Sequence, residues 1–185
     1  MNYFHNKTIW ITGASSGIGE ALAIELSKLD ANLILTARRK EELERVKKAC
    51  GNKKVEIFPF DLEQIREIDD LSHKVQSEFP KIDILINNAG VSAWSSVVET
   101  DYEVYERVMK LNYLSIVKLT KSILPNMIKR KSGQIVTNTS LLGILAIKNR
   151  SVYAASKHAM HGFMNVLRAE MYEHNIKVNT VAPGP

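Results

Sequence analysis

Short apolar runs of five to seven residues recur along the chain, and all but the last are followed by a longer stretch in which apolar positions return at helical spacing. Residues 8–12 form the first run and precede a helix from Ile18. Residues 32–37 precede a helix from Lys40, and residues 55–60 precede one from Gln64. The alternation continues with a strand over 82–87, a long helix over 102–131, a strand over 133–139, a helix from about 152 to 174 and a strand over 177–182. Repeated strand and helix predicts a parallel sheet with helices on both faces, because each parallel connection needs a crossover. Ile82, Ile84, Leu85 and Ile86 are nearly continuous in apolarity rather than alternating, as a strand buried on both sides requires. No linker, internal repeat or low-complexity segment interrupts the pattern. Residues 1–185 therefore read as a single α/β domain of three layers.

Composition narrows the partners more than the fold. With 45% hydrophobic and 24% charged residues the chain is an ordinary globular sequence, which excludes disordered and fibrous classes. The net charge of +5 comes from 25 basic and 20 acidic residues, and the lysines are dispersed along helical segments such as 40–54. That dispersal predicts a solvated surface and no nucleic-acid partner. The single cysteine, Cys50, has no partner for an internal disulfide and suits a reducing compartment. His158 and His161 share a helix face, but no cysteine or carboxylate is spaced to complete a ligand set, so no metal site is expected. The chain runs from Met1 into its first strand without a secretory pattern, and no apolar stretch approaches membrane-spanning length. The expectation is a soluble cytoplasmic protein with no membrane span.

The chemistry begins at the first turn. Thr12-Gly13-Ala14-Ser15-Ser16-Gly17-Ile18-Gly19 follows the first strand and opens the first helix. Glycine lets backbone approach a phosphate closely, and the free amides and positive dipole end of a helix attract the anion. Gly13, Ser15, Ser16, Gly17, Ile18 and Gly19 are thus candidate dinucleotide contacts, although the glycine spacing differs from the common G-x-G-x-x-G. At the end of the second strand, where a site selecting NAD carries an acidic residue, the segment reads Thr36-Ala37-Arg38-Arg39. Two guanidiniums there predict NADP(H) over NAD(H), since they can pair with a 2′-phosphate, or else they only solvate the following helix.

A second constellation lies later. Tyr153 and Lys157 stand four apart on one helix face, and a cation beside a phenol favours the phenolate form needed for proton transfer near neutrality. Ser140 falls thirteen residues earlier, at the carboxyl end of a predicted parallel strand, the edge at which open α/β sheets bind ligands. Asn112 interrupts an apolar helical stretch containing Val108, Leu111, Leu114 and Ile116, where an amide competes for backbone bonds and predicts a local break.

Taken in order, the turn Thr12 to Gly19, the run Asn87-Asn88-Ala89-Gly90, Asn112, Ser140, Tyr153 with Lys157, and Pro183-Gly184 resemble the classical short-chain dehydrogenase/reductase family. Segments around Ser140, Lys157 and the long helix are similar to its steroid-dehydrogenase-like branch. The resemblance implies a Rossmann-type doubly wound sheet and hydride transfer between NADP(H) and a carbonyl or alcohol. It implies that Tyr153 is the general acid and base, that Lys157 tunes it and holds the nicotinamide ribose, and that Ser140 polarises the substrate oxygen. Asn112 would link Lys157 to solvent. Asn88, Ala89, Gly90, Asp61, Leu62, Pro183 and Gly184 would complete the cofactor site, with Asp61 and Leu62 near the adenine.

Leu141, Leu142, Ile144, Leu145, Val91 and Trp94 follow these motifs and either wall an apolar substrate pocket or serve packing. The resemblance also implies a homodimer or homotetramer formed through the helices carrying Asn112 and Tyr153. Family members continue beyond the point where this chain stops at Pro183-Gly184-Pro185, so the sheet is expected to be truncated before its last strand and the substrate-covering end to be missing. Two other readings stay open: a ketoacyl reductase acting on carrier-bound substrates, and a non-catalytic dinucleotide-binding sensor or scaffold.

Overall fold

The computed structural model describes residues 2–51 and 54–184. Its strands are β1 (Thr8–Thr12), β2 (Asn32–Ala37), β3 (Val55–Pro59), β4 (Ile84–Asn87), β5 (Gly133–Asn138) and β6 (Ile176–Val181). They form one sheet in the order β3-β2-β1-β4-β5-β6, and every pairing among these named strands is parallel. The helices are α1 (Gly17–Lys28), α2 (Lys40–Ala49), α3 (Ile68–Glu78), α4 (Tyr102–Met109), α5 (Ser115–Arg130) and α6 (Ser151–Met171).

Side chains alternate across the strands and so sort the helices into two layers. Ile9, Ile11, Leu33 and Leu35 pack with Ala23 and Leu26 of α1 and with Leu43 and Val46 of α2. Trp10, Ile34, Leu85 and Ile135 face the other way, onto Leu119, Ile123 and Met127 of α5 and Met160 and Met164 of α6. This is the expected three-layer, doubly wound α/β arrangement. The fully buried indole of Trp10 is satisfied because its Nε1 donates to Thr36 Oγ1 at 2.9 Å.

Element ends depart from the sequence pattern for local reasons. β4 begins at Ile84 rather than Ile82, and the Asp83 carboxylate accepts the Thr8 N–H at 3.0 Å where a neighbouring strand carbonyl would otherwise serve. β3 ends at Pro59, which has no N–H to offer and sits on the sheet edge, where proline is tolerated. A 3₁₀ turn, Ile65–Glu67, precedes α3. The expected long helix over 102–131 is α4 and α5 joined by a π-helical turn, Lys110–Leu114, with Asn112 at its middle. After α6 the chain tightens into a 3₁₀ turn, Tyr172–His174, and leaves through Asn175 in the left-handed region.

The chain winds outward from β1 through β2 to β3, then returns to place β4 on the other side of β1. The direction of winding therefore reverses between β1 and β4. The carboxyl edge of the sheet at such a reversal is where doubly wound sheets bind ligands.

Candidate active site

The turn after β1 is built against the end of β4. Gly13 has φ +65°, and a Cβ there would lie 2.8 Å from the Ala89 Cα, so neither conformation nor space admits a larger residue. A Cβ on Gly19 would fall 2.3 Å from the Gly13 carbonyl oxygen, which is why α1 can approach the turn so closely. Thr12 Oγ1 accepts the N–H groups of Asn88 (3.0 Å) and Ala89 (3.1 Å). Asn88 in turn donates from Nδ2 to the carbonyls of Thr12 (3.1 Å) and Gly13 (3.2 Å), and its Oδ1 accepts from Asn138 Nδ2 at 3.0 Å. Three strand ends are thereby locked together. Ser16 precedes α1 in extended conformation and no side chain caps the helix, so the first-turn amides and dipole are left for an anion.

A cleft of about 500 Å³ runs from this turn across the sheet edge. Gly13, Ser15, Ser16 and Ile18 line one end, while Gly17 and Gly19 shape the turn without lining it. Arg38 and Arg39 border the cleft after β2, with Asp61 and Leu62 after β3. Both arginines are solvent-exposed. Arg38 lies 3.8 Å from Glu63 in a loose pair, and no carboxylate pairs with Arg39 among the described residues. Asp61 has a local task as well, since its Oδ1 accepts the Glu63 N–H at 3.0 Å. Asn88, Ala89 and Gly90 form the floor, and Pro183 and Gly184 close the far side.

Ser140, Tyr153 and Lys157 line the same cleft. Ser140 Oγ accepts the Leu142 N–H at 3.1 Å, which fixes the side chain and leaves its O–H free to donate. No described residue hydrogen-bonds the Tyr153 hydroxyl. Lys157 is 6% exposed, with Nζ 5.6 Å from the centroid of the Tyr153 ring and donating to the Asn138 carbonyl at 3.1 Å. Burial pushes its pKa down to about 8 from an ordinary 10.5, because desolvation disfavours the charged ammonium.

Asn112 stands behind the cleft rather than in its lining. Fully buried, it clips the π turn to the loop after β4: its Oδ1 accepts the Val91 N–H at 2.8 Å and its Nδ2 donates to the Val91 carbonyl at 2.9 Å and to Ser156 Oγ at 3.1 Å. Ser156 Oγ then donates to the Tyr153 carbonyl at 2.8 Å. Asn112 is thus tied to the Tyr153 helix through Ser156. Among the residues expected to wall an apolar pocket, Val91 lines the cleft, whereas Leu141, Ile144, Leu145 and Trp94 are largely exposed.

Sequence reasoning gave no role to the side chains of Thr12, Asn138 and Ser156, which join the turn, the sheet and the Tyr153 helix. The available signal was a polar residue at the carboxyl end of an apolar strand, as at Thr12 and Asn138. Of the two histidines on one helix face, His158 Nδ1 is 2.9 Å from the Ala154 carbonyl, and His161 Nε2 is buried with no hydrogen-bond partner among the described residues. Among the described residues no group of three His, Cys, Asp or Glu side chains converges.

The model of the family described as short chain dehydrogenase matches residues 7–185. Human dehydrogenase/reductase SDR family member 7 is 48% identical over 187 residues, covering 97% of this chain and 55% of the relative. Among solved structures, a metagenomic short-chain oxidoreductase in complex with NADP aligns with a TM-score of 0.94 at 30% identity, covering 98% of this chain and 84% of that one. An NAD+-bound xylitol dehydrogenase aligns with a TM-score of 0.93 at 26% identity, covering 98% and 71%. The chain spans about half the length of the curated relatives it matches. No helix of the described residues is long and apolar enough to cross a membrane.

Proposed function

The chain belongs to the short-chain dehydrogenase family, and on that premise we propose that it is an oxidoreductase that reduces a carbonyl to an alcohol, or the reverse, with NADP(H) as hydride partner and Tyr153 as the proton donor. The observation that carries this reading is the cleft itself: one surface runs from the glycine turn to Ser140, Tyr153 and Lys157.

In this reading the phosphates rest on the uncapped start of α1, and Arg38 and Arg39 hold the 2′-phosphate. When bound, the dinucleotide supplies the hydride. Ser140 donates its hydrogen bond to the substrate carbonyl oxygen and holds it beside Tyr153. Tyr153 passes its proton to that oxygen as negative charge develops there. Lys157, cationic below about pH 8, supplies the positive charge behind the phenol. Asn112 keeps the wall and the catalytic helix in register and links Lys157 outward to solvent. The substrate is a small apolar carbonyl or alcohol compound, which Val91 would contact.

The half-exposed Val166, with Ala155 on the same helix, leaves an apolar stripe on α6 that suits pairing with a second copy as a homodimer or homotetramer. With a lone buried cysteine, Cys50, we place the protein in the cytoplasm.

Stereospecific transfer of deuterium from labelled NADPH to a panel of ketones tests the activity. Transfer supports the reading; NADPH binding without transfer to any ketone points to a sensor, and transfer only to thioester or carrier-bound ketoacyl substrates selects that class. Replacing Arg38 and Arg39 together by alanine is expected to raise the Michaelis constant for NADPH about tenfold or more while leaving that for NADH little changed, the scale of one or two lost charge-assisted bonds. Equal constants for the two coenzymes in the unaltered protein contradict the preference.

A further inference from the structure

Arg150 is the last residue before α6, three positions ahead of Tyr153, and neither the cofactor site nor the proton donor uses it. Its side chain reaches across to the loop that follows β4. Nη1 donates to Ser92 Oγ at 2.5 Å and to the Ala93 carbonyl at 3.1 Å. The guanidinium carbon lies 4.1 Å from the centroid of the Trp94 ring, and 5.9 Å from that of Tyr153. The backbone closes the same junction: Ser95 N–H donates to the Asn149 carbonyl at 3.1 Å, and Ser95 and Arg150 form an isolated parallel bridge.

This loop has little else to hold it. Trp94, Val97 and Val98 are 65%, 69% and 95% exposed, so its position owes little to apolar burial. Its first residue, Val91, is pinned by Asn112, and the next anchors are those made by Arg150. Val91 and Ser92 line the cleft together with Ser140 and Tyr153. A planar guanidinium that donates two hydrogen bonds and stacks on an indole fixes a loop in both translation and tilt, which a lysine cannot do.

We infer that Arg150 is a positioning residue for substrate binding: it clips the loop of residues 92–95 to the start of the catalytic helix and so holds the substrate-side wall of the cleft. The inference rests on the proposed carbonyl reduction at Tyr153. The wall formed by residues 92–95 faces the Ser140 and Tyr153 end of the cleft, whereas the coenzyme's assigned contacts are the glycine turn, Arg38, Arg39, Asp61, Leu62 and the preceding residues Asn88 to Gly90. Replacing Arg150 should therefore loosen substrate binding while leaving the chemical step and NADPH affinity in place.

The test compares Arg150→Met, which keeps the apolar stem, and Arg150→Lys with the unaltered protein. In the methionine variant the Michaelis constant for a reducible ketone is expected to rise about tenfold, with kcat within about threefold and the NADPH dissociation constant within about twofold, the pattern of a lost binding interaction. The lysine variant should fall between the two, because it retains the charge and a donor but not the planar stack. An unchanged Michaelis constant, or a loss confined to kcat or to NADPH binding, overturns the inference. A second readout does not depend on turnover. Trp10 is fully buried, so acrylamide reaches the exposed Trp94, and its quenching constant is expected to rise about twofold in the methionine variant as the stacked cation is lost. Unchanged quenching overturns the clip. Increased quenching in a protein that reduces no ketone supports the clip and refutes the proposed activity instead.

Discussion

Lys157 is held at a cost in stability, and replacing it by methionine should make that cost measurable. Lys157 is 6% exposed, and its ammonium has one hydrogen-bond partner among the described residues, the Asn138 carbonyl. Its pKa falls from an ordinary 10.5 to about 8 through burial, which at 1.36 kcal/mol per unit corresponds to roughly 3 kcal/mol against the charged form. The sign follows from proton counting. Between pH 8 and 10.5 the unfolded chain keeps this proton and the folded one has released it, so stability rises with pH across that window. Below pH 8 both states are protonated and the full penalty is present. The methionine variant has no such titration, so its stability relative to the unaltered protein should be highest at pH 7 and decline by about 3 kcal/mol by pH 10.5. Urea unfolding of both proteins at several pH values, followed through the buried Trp10, measures the difference, and groups that titrate alike in both proteins cancel. A difference that stays constant with pH, or that grows in favour of the variant toward pH 10.5, would refute the assigned burial penalty.

Other substitutions probe the framework. Gly13→Ala combines an unfavourable φ with a Cβ 2.8 Å from the Ala89 Cα, and should cost about 1–3 kcal/mol in urea unfolding while weakening NADPH binding. Asn112→Ala strips the Val91 N–H, the Val91 carbonyl and Ser156 Oγ of a buried partner, and is expected to destabilise by about 2 kcal/mol and to lower turnover, read by unfolding and steady-state rates together.

The fold could be read because parallel strands buried on both faces are written as apolar runs, and β1 and β2 fall where those runs fall. The start of β4 was less legible, since Asp83 substitutes its side chain for a backbone acceptor and no run of hydrophobicity reports that. The break at Asn112 could be anticipated from an amide inside an apolar helix, but its form as a π turn clipped to Val91 could not. Ser140, Tyr153 and Lys157 were named from spacing, and the structure brings them to one cleft with the glycine turn. What spacing could not show was the bracing. Thr12 meets Asn88 and Ala89 across 76 and 77 residues, and Arg150 meets Ser92 across 58. Such contacts depend on the order of strands in the sheet, not on any local pattern. The depressed pKa of Lys157 is of the same kind, because it arises from the walls that fold around it.

The central claim is that Tyr153 gives the proton in a reduction driven by NADPH. Single-turnover reduction of a ketone by the Tyr153→Phe variant, run beside a direct measurement of NADPH binding, tests it most directly. The account predicts binding that is retained and a rate lower by about 10²–10⁴-fold, the usual share of a positioned general acid. A variant that binds NADPH and reduces the ketone within a few fold of the unaltered rate would contradict it.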